Sequence, residues 1–207
     1  MEMNKAMKVF IKNEVAFASA KWIHQAMSVL QIENKEKTMN HFLDELKDSI
    51  ADERVNYVQI VLLRYKTLQK NPFYQMQTFG PAFYLASPLS EKELKWDWLY
   101  EPYYAFCEEI KASSKKYVMQ ISAENLAKLC LLELEETKEI IRCLFRESLF
   151  HILTGEVFQQ AVKQREISIH LSDYRGEYEP LLVLNNQTKE TGEWLNGIFQ
   201  NHAGNKQ

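Results

Sequence analysis

Few side chains in this sequence have the types and spacings that enzyme chemistry or metal binding requires. The chain contains no GxGxxG, GxSxG or HExxH motif and no phosphate-binding GxxxxGK loop, and its six glycines are scattered. The five histidines share no ligand spacing with cysteines or carboxylates; they are His24, His41, His151, His170 and His202. We therefore expect no cofactor and no metal site.

One pair, Arg146 and His151, has a spacing that an enzyme could use. A histidine titrates near neutral pH, which suits proton transfer. The R-x4-H spacing resembles that of HEPN-type ribonucleases, which are helical and usually dimeric. The resemblance implies that Arg146 would hold phosphate charge and that His151 would shuttle a proton. Because a two-residue match often arises by chance, a structural histidine and a surface arginine are the simpler interpretation, so an enzyme is not our first expectation.

The cysteines and the N-terminus indicate a cytoplasmic protein. Cys107, Cys130 and Cys143 are odd in number and form no CxxC pair, as expected of reduced thiols among apolar neighbours. Charged residues interrupt the apolar runs of the first 17 residues, so no signal peptide is predicted. Residues 71–90 are uncharged but contain three prolines and a glycine, which excludes a membrane helix there.

The hydrophobic pattern of the N-terminal half predicts two helices followed by a small β-hairpin. Apolar residues recur at helical spacing over 5–31 and again near 35–51. Residues 55–70 are rich in β-branched and aromatic groups, and Asn71-Pro72 could turn the chain into 73–85. We also expect residues 90–111 to be helical, opening at Ser90 with an acidic first turn, and interrupted or started at Pro102.

An aromatic-rich segment covers residues 73–106, where eleven of 34 residues are Phe, Tyr or Trp. So dense a cluster indicates either a well-filled core or a surface for a protein partner, and core packing is the commoner explanation. The candidates for a partner surface are Trp96, Trp98, Tyr100, Tyr103 and Tyr104.

Residues 120–184 resemble a winged-helix domain. Ser122 can cap a short helix, a tight connection through 131–134 leads to a second helix over 135–146, and 166–171 with 177–184 predict the hairpin that forms the wing. If this resemblance implies DNA binding, Lys138, Arg142 and Arg175 would contact phosphates or the groove.

The charge of this region argues against DNA. Residues 112–185 carry 9 basic and 11 acidic groups, so their net charge is 9 − 11 = −2, and the second helix begins with Glu135-Glu136. Phosphate neutralisation supplies most non-specific affinity for DNA, and acidic groups at the helix start would oppose it. Winged helices also dock other proteins, which the charge favours.

These patterns together predict an α+β fold with three regions. A helical and β-hairpin region covers 1–111, a winged-helix-like region covers 117–184, and a short helix with a frayed tail covers 185–207. We expect a non-enzymatic regulatory or interaction protein that docks another protein or forms a homodimer. A DNA-binding transcriptional regulator and a HEPN-like ribonuclease are the alternatives.

Overall fold

The computed structural model describes residues 5–30, 35–117, 120–174, 176 and 178–185. The fold is mixed α+β, with N-terminal helices preceding the strands, as the sequence predicts. Among the described helices, none combines the length and apolarity needed to cross a membrane. The chain forms two compact units. The first comprises Met1–Met39, Leu63–Phe73 and Leu94–Leu144, and the second comprises Asn40–Leu62, Tyr74–Glu93 and Phe145–Gln207. Each unit thus draws on separated segments, unlike the consecutive regions of the sequence-based division.

Unit 1 begins with a nearly continuous helical run. Helix α1 (Lys5–Phe10) passes through a π-helical turn (Ile11–Val15) into α2 (Ala16–Val29). The buried residues explain the π turn, because Phe10 and Val15 are five positions apart, whereas Ala18 and Trp22 return to a spacing of four. A wider turn keeps both sets on one face of the helix.

The interior of unit 1 is an aromatic cluster on α5 (Asp97–Ser114). The Trp22 ring of α2 lies 5.7 Å from Tyr103, edge to face. Phe73, which follows the one-turn helix α4 (Arg64–Thr67), lies 4.4 Å from Tyr100. The aromatic-rich segment therefore fills a core here, as the simpler interpretation expected.

Helix α6 (Ala123–Thr154) corrects the helix-turn-helix prediction. The sequence predicted a turn through 131–134, but these residues continue a single helix of 32 residues. The segment contains no glycine or proline, and leucine and glutamate favour helix, so nothing there interrupts the backbone hydrogen bonds. The predicted cap is confirmed, since the Asn125 backbone N–H donates to Ser122 Oγ at 3.1 Å.

Unit 2 is built on a five-stranded sheet with the order β3-β2-β1-β4-β5. The strands are β1 (Tyr57–Leu62), β2 (Tyr74–Phe79), β3 (Ser90–Glu93), β4 (Ile167–Asp173) and β5 (Tyr178–Leu184). Strand β1 is antiparallel to β2 and parallel to β4, and the other neighbours are antiparallel. The two predicted hairpins, β1–β2 and β4–β5, are confirmed, but they share one sheet.

The two faces of the sheet differ in chemistry. Val58, Ile60 and Leu62 are fully buried on one face, where Met76 pairs with Ile60 and contacts Ser49 of helix α3 (Lys35–Ile50). The opposite face of the same strands carries Gln59, Gln75 and Gln77 together with the apolar Val61 and Phe79. Helix α7 (Glu156–Gln164) precedes β4, and Gly155 separates it from α6.

The helix predicted to open at Ser90 is wrong over its first turn. Residues Ser90–Glu93 form strand β3, and the helix begins only at Asp97. All four residues of this segment are polar and exposed, as expected at the edge of the sheet, where β3 pairs with β2. Pairing with β2 therefore overrides the local helical signal.

Candidate functional site

A row of four polar side chains crosses the sheet of unit 2. Glu91 on β3 is the strand partner of Gln77 on β2, and Gln77 is the partner of Gln59 on β1. Gln59 is in turn the partner of His170 on β4. Because paired residues of adjacent strands lie on the same face about 4.8 Å apart, the four side chains form a continuous polar row.

Gln59 is the most unusual member of this row. Its side chain is 1% exposed in a strand that is otherwise apolar. The Nε2 group donates to Ser172 Oγ at 2.6 Å and to the Tyr84 hydroxyl. The buried Oε1 atom accepts no hydrogen bond from any residue that the structure describes. A buried polar atom without a partner costs roughly 1–3 kcal/mol, so this position demands an explanation.

His170 shows the same deficit one strand away. Its Nδ1 atom is buried and has no hydrogen-bond partner within the described chain. The ring stacks on Tyr178 with centroids 5.0 Å apart. Burial lowers the pKa of His170, which keeps the imidazole neutral at pH 7. Two adjacent unsatisfied groups on one face mark this part of the sheet as a site.

Residues 80–89, which we call the covering segment, lie over this face. Phe83 adopts a φ of +46°, a left-handed conformation that costs a non-glycine residue roughly 1–2 kcal/mol. Its ring is held by stacking on Tyr57, with centroids 4.4 Å apart, and by an edge contact with His170 at 5.4 Å. Such strain is found preferentially at functional sites.

Between the covering segment and the sheet lies a pocket of about 190 Å³, which we call the sheet pocket. The strand residues that line it are Gln59, Val61, Gln77, Phe79 and Glu91. Tyr84, Ala86 and Pro88 of the covering segment and Tyr174 complete the lining. The pocket therefore combines aromatic walls with a few polar groups, which is the usual composition of a small-molecule site.

The electrostatics of the sheet pocket are set by Glu91. Within the described lining it is the only charged residue. Its carboxylate accepts hydrogen bonds from Gln77 Nε2 at 3.0 Å and from Gln75 Nε2 at 3.2 Å. These neutral donors orient the carboxylate without neutralising it, so the pocket keeps a negative charge at its β3 side.

The relationship of the chain to known proteins was tested in three ways. No family model, curated protein or solved structure matches it. The winged-helix resemblance therefore stays a prediction from the sequence, and the continuous α6 lacks the turn on which it depended. Functional arguments must come from the site itself.

The basic residues proposed for DNA contacts are held by acidic neighbours. Lys138 lies 3.0 Å from Glu135, and its side chain is 14% exposed. Arg142 pairs with Glu139 one turn earlier on α6. Arg175 lies outside the described residues. Two of the three candidates therefore form ion pairs within the same helix.

Arg146 and His151 are both exposed on α6. Five residues along a helix correspond to a rotation of about 140° between the two side chains, so they project from different sides. The His151 ring contacts Phe150, with centroids 5.8 Å apart. Neither residue lines the sheet pocket.

The aromatic residues proposed for a partner surface are largely internal. Trp96, Tyr100 and Tyr103 are buried, whereas Trp98 and Tyr104 are half-buried. The Tyr103 hydroxyl donates to the Cys130 carbonyl at 2.6 Å, and the Tyr104 hydroxyl donates to the Asn71 carbonyl at 2.9 Å. These residues hold unit 1 together, and the buried three cannot present a docking surface.

The sequence argument missed Gln59, Gln77 and Glu91. A usable signal was present, because Gln59 interrupts an apolar strand and Gln75 and Gln77 alternate within β2. Polar residues at every second position of a buried strand indicate a polar face. No group of three or more His, Cys, Asp or Glu side chains is placed to hold a metal ion in the described ranges.

Proposed function

We propose that this protein is a non-enzymatic binding protein whose site for a small ligand is the sheet pocket. The observation that carries the proposal is the buried amide of Gln59, whose Oε1 atom has no partner among the described residues. A ligand N–H or O–H group at this position would supply the missing hydrogen bond and recover the cost of burying the oxygen.

The surroundings of Gln59 support ligand binding rather than catalysis. Among the residues that the structure describes, the pocket lining contains amides, aromatic rings and one carboxylate, and no serine or cysteine nucleophile. The neutral His170 lies beside this lining and has lost basicity through burial. These groups orient and hold a ligand without an evident means of transforming it.

The regulatory role predicted from the sequence stays a prediction, and so does the protein partner or homodimer. In such a role, the ligand would be the signal that the protein senses. The cytoplasmic location is also part of this proposal. It is supported by three cysteines that are all free thiols.

The proposal is tested by screening a library of small polar molecules against the 15N-labelled full chain by NMR. We expect saturable shifts that concentrate on residues lining the sheet pocket. Substitution Ala86→Trp would fill the pocket from its exposed covering segment and abolish those shifts. The matched control Ala82→Trp adds the same side chain to an exposed position outside the lining and should leave binding intact.

Two results would overturn the proposal. One is a complete absence of saturable shifts at the pocket residues across the library. The other is binding that A86W and A82W affect equally, because the pocket would then not be the site.

A further inference from the structure

The chemistry of the sheet pocket also selects a class of ligand, an inference that rests on the proposed function. We propose that the pocket binds a small planar organic cation that carries N–H donors, such as an amidinium, a guanidinium or a protonated aromatic amine. The groups along the polar row, in order from Glu91 through Gln77 to Gln59, set the charge and the hydrogen-bond pattern that such a ligand must match.

The charge of the ligand follows from Glu91. Its two recorded donors are the neutral amides of Gln75 and Gln77. No lysine or arginine of the described chain forms an ion pair with it, although Lys92 is adjacent and extends from the opposite face to Glu45 at 3.9 Å. The carboxylate thus keeps its capacity to accept a charge-assisted hydrogen bond from a cation.

The donor pattern of the ligand follows from Gln59. Two strand spacings separate Gln59 from Glu91, a span of about 10 Å between their backbones. The orphaned Gln59 Oε1 is an acceptor, as is the Glu91 carboxylate. Acceptors at both ends of the row favour a ligand with several N–H groups, and the negative charge of Glu91 disfavours a carboxylate or phosphate.

The planar shape follows from the aromatic walls. Tyr84, Tyr174 and Phe79 line the pocket, and the rings of Tyr84 and Phe79 pack edge to face with centroids 5.5 Å apart, so that together they form an aromatic wall. An aromatic face attracts a cation, because the negative face of the π system complements positive charge. A flat ring can also pack against such a face. The volume of about 190 Å³ suits a single ring with a short polar group.

The test compares three probes of nearly identical shape: benzamidine, which is a cation at neutral pH, the neutral benzamide and the anionic benzoate. Each is titrated into the 15N-labelled full chain, and shifts of the pocket residues are followed. We expect benzamidine to bind at least about tenfold more tightly than benzamide, since a charged partner strengthens each hydrogen bond, and benzoate to bind most weakly.

Glu91→Gln should remove most of the preference for benzamidine over benzamide, because the carboxylate that attracts the cation is lost. The matched control Glu93→Gln changes the same charge on the same strand outside the pocket lining and should retain the preference. Far-UV circular dichroism of both variants establishes that each has folded.

The outcomes separate the two claims. Binding of benzamide or benzoate at the pocket as tightly as benzamidine overturns the cation inference and leaves the proposed function standing. The same holds if E91Q and E93Q change the preference equally. The absence of binding by all three probes also overturns the inference, while the library screen with A86W decides the proposed function separately.

Discussion

Arg165 joins the end of α3 to the start of β1, and its replacement should destabilise unit 2. Its Nη2 atom donates to the carbonyls of Ile50 at 2.6 Å and Asp52 at 3.0 Å, and its Nε atom donates to the Val55 carbonyl at 2.6 Å. The guanidinium thus satisfies the last carbonyl of α3 and two carbonyls of the turn that leads to Gln59. A cation near a helix C-terminus is also favoured by the helix dipole.

The cost of losing this contact can be estimated from its hydrogen bonds. Bonds to a charged donor contribute about 1.5–3 kcal/mol each, and a half-buried site favours the low end. We expect Arg165→Ala to lower the free energy of unfolding by about 3–5 kcal/mol, a large share of the roughly 5–15 kcal/mol of a typical domain. Arg165→Lys keeps the charge but loses the planar fork, so about half of that cost should remain.

Urea unfolding followed by circular dichroism measures this change, and amide hydrogen exchange of Val58 and Ile60 shows whether β1 is the part affected. Arg54→Lys is the control, because Arg54 is exposed, pairs among the described residues with Asp52, and should change stability little. The reasoning is refuted if R165A costs less than about 1 kcal/mol, or if R165K equals the wild type.

Three further predictions concern a glycine and two titrating side chains. Gly155→Ala should lower the free energy of unfolding in urea by at least about 1 kcal/mol, because the added Cβ would lie 2.7 Å from the His151 carbonyl oxygen and 3.0 Å from the Phe158 ring. An unchanged unfolding midpoint would contradict this. Burial lowers the pKa of His170, so stability should be lost as the pH falls below about 6.5, and His170→Gln should flatten this dependence. Burial, with a smaller effect of Cys107, raises the pKa of Tyr104 to about 12, so the stability of the protein should fall as the pH rises from 10 toward 12. Tyrosine ionisation followed by absorbance at 295 nm, compared between the wild type and Tyr104→Phe, checks the assignment.

The sequence predicted secondary structure best where a helix or strand buries one of its own faces against the core. The apolar spacing of 5–31 and 35–51 predicted α1 to α3, because a helix that packs against one core must repeat every three to four residues. The same logic placed both hairpins. It could not reveal that the hairpins join through parallel pairing of β1 with β4, since that contact links residues more than 100 positions apart.

The site escaped the sequence argument for a related reason. Glu91 lies in a segment that reads as the first turn of a helix, and only pairing with β2 makes it a strand residue facing Gln77. Gln59 reads as a single polar interruption in an apolar run. The deficit that marks it as a site, a buried amide oxygen without a donor, exists only once the covering segment has closed over the sheet.

A high-resolution crystal structure of the protein soaked with benzamidine would show whether the sheet pocket holds a ligand. We expect a ring beside Tyr84 in the sheet pocket, with the amidinium donating to the Glu91 carboxylate. A structure in which the covering segment fills the pocket and a protein group donates to Gln59 Oε1 would contradict the account, because no site would then exist.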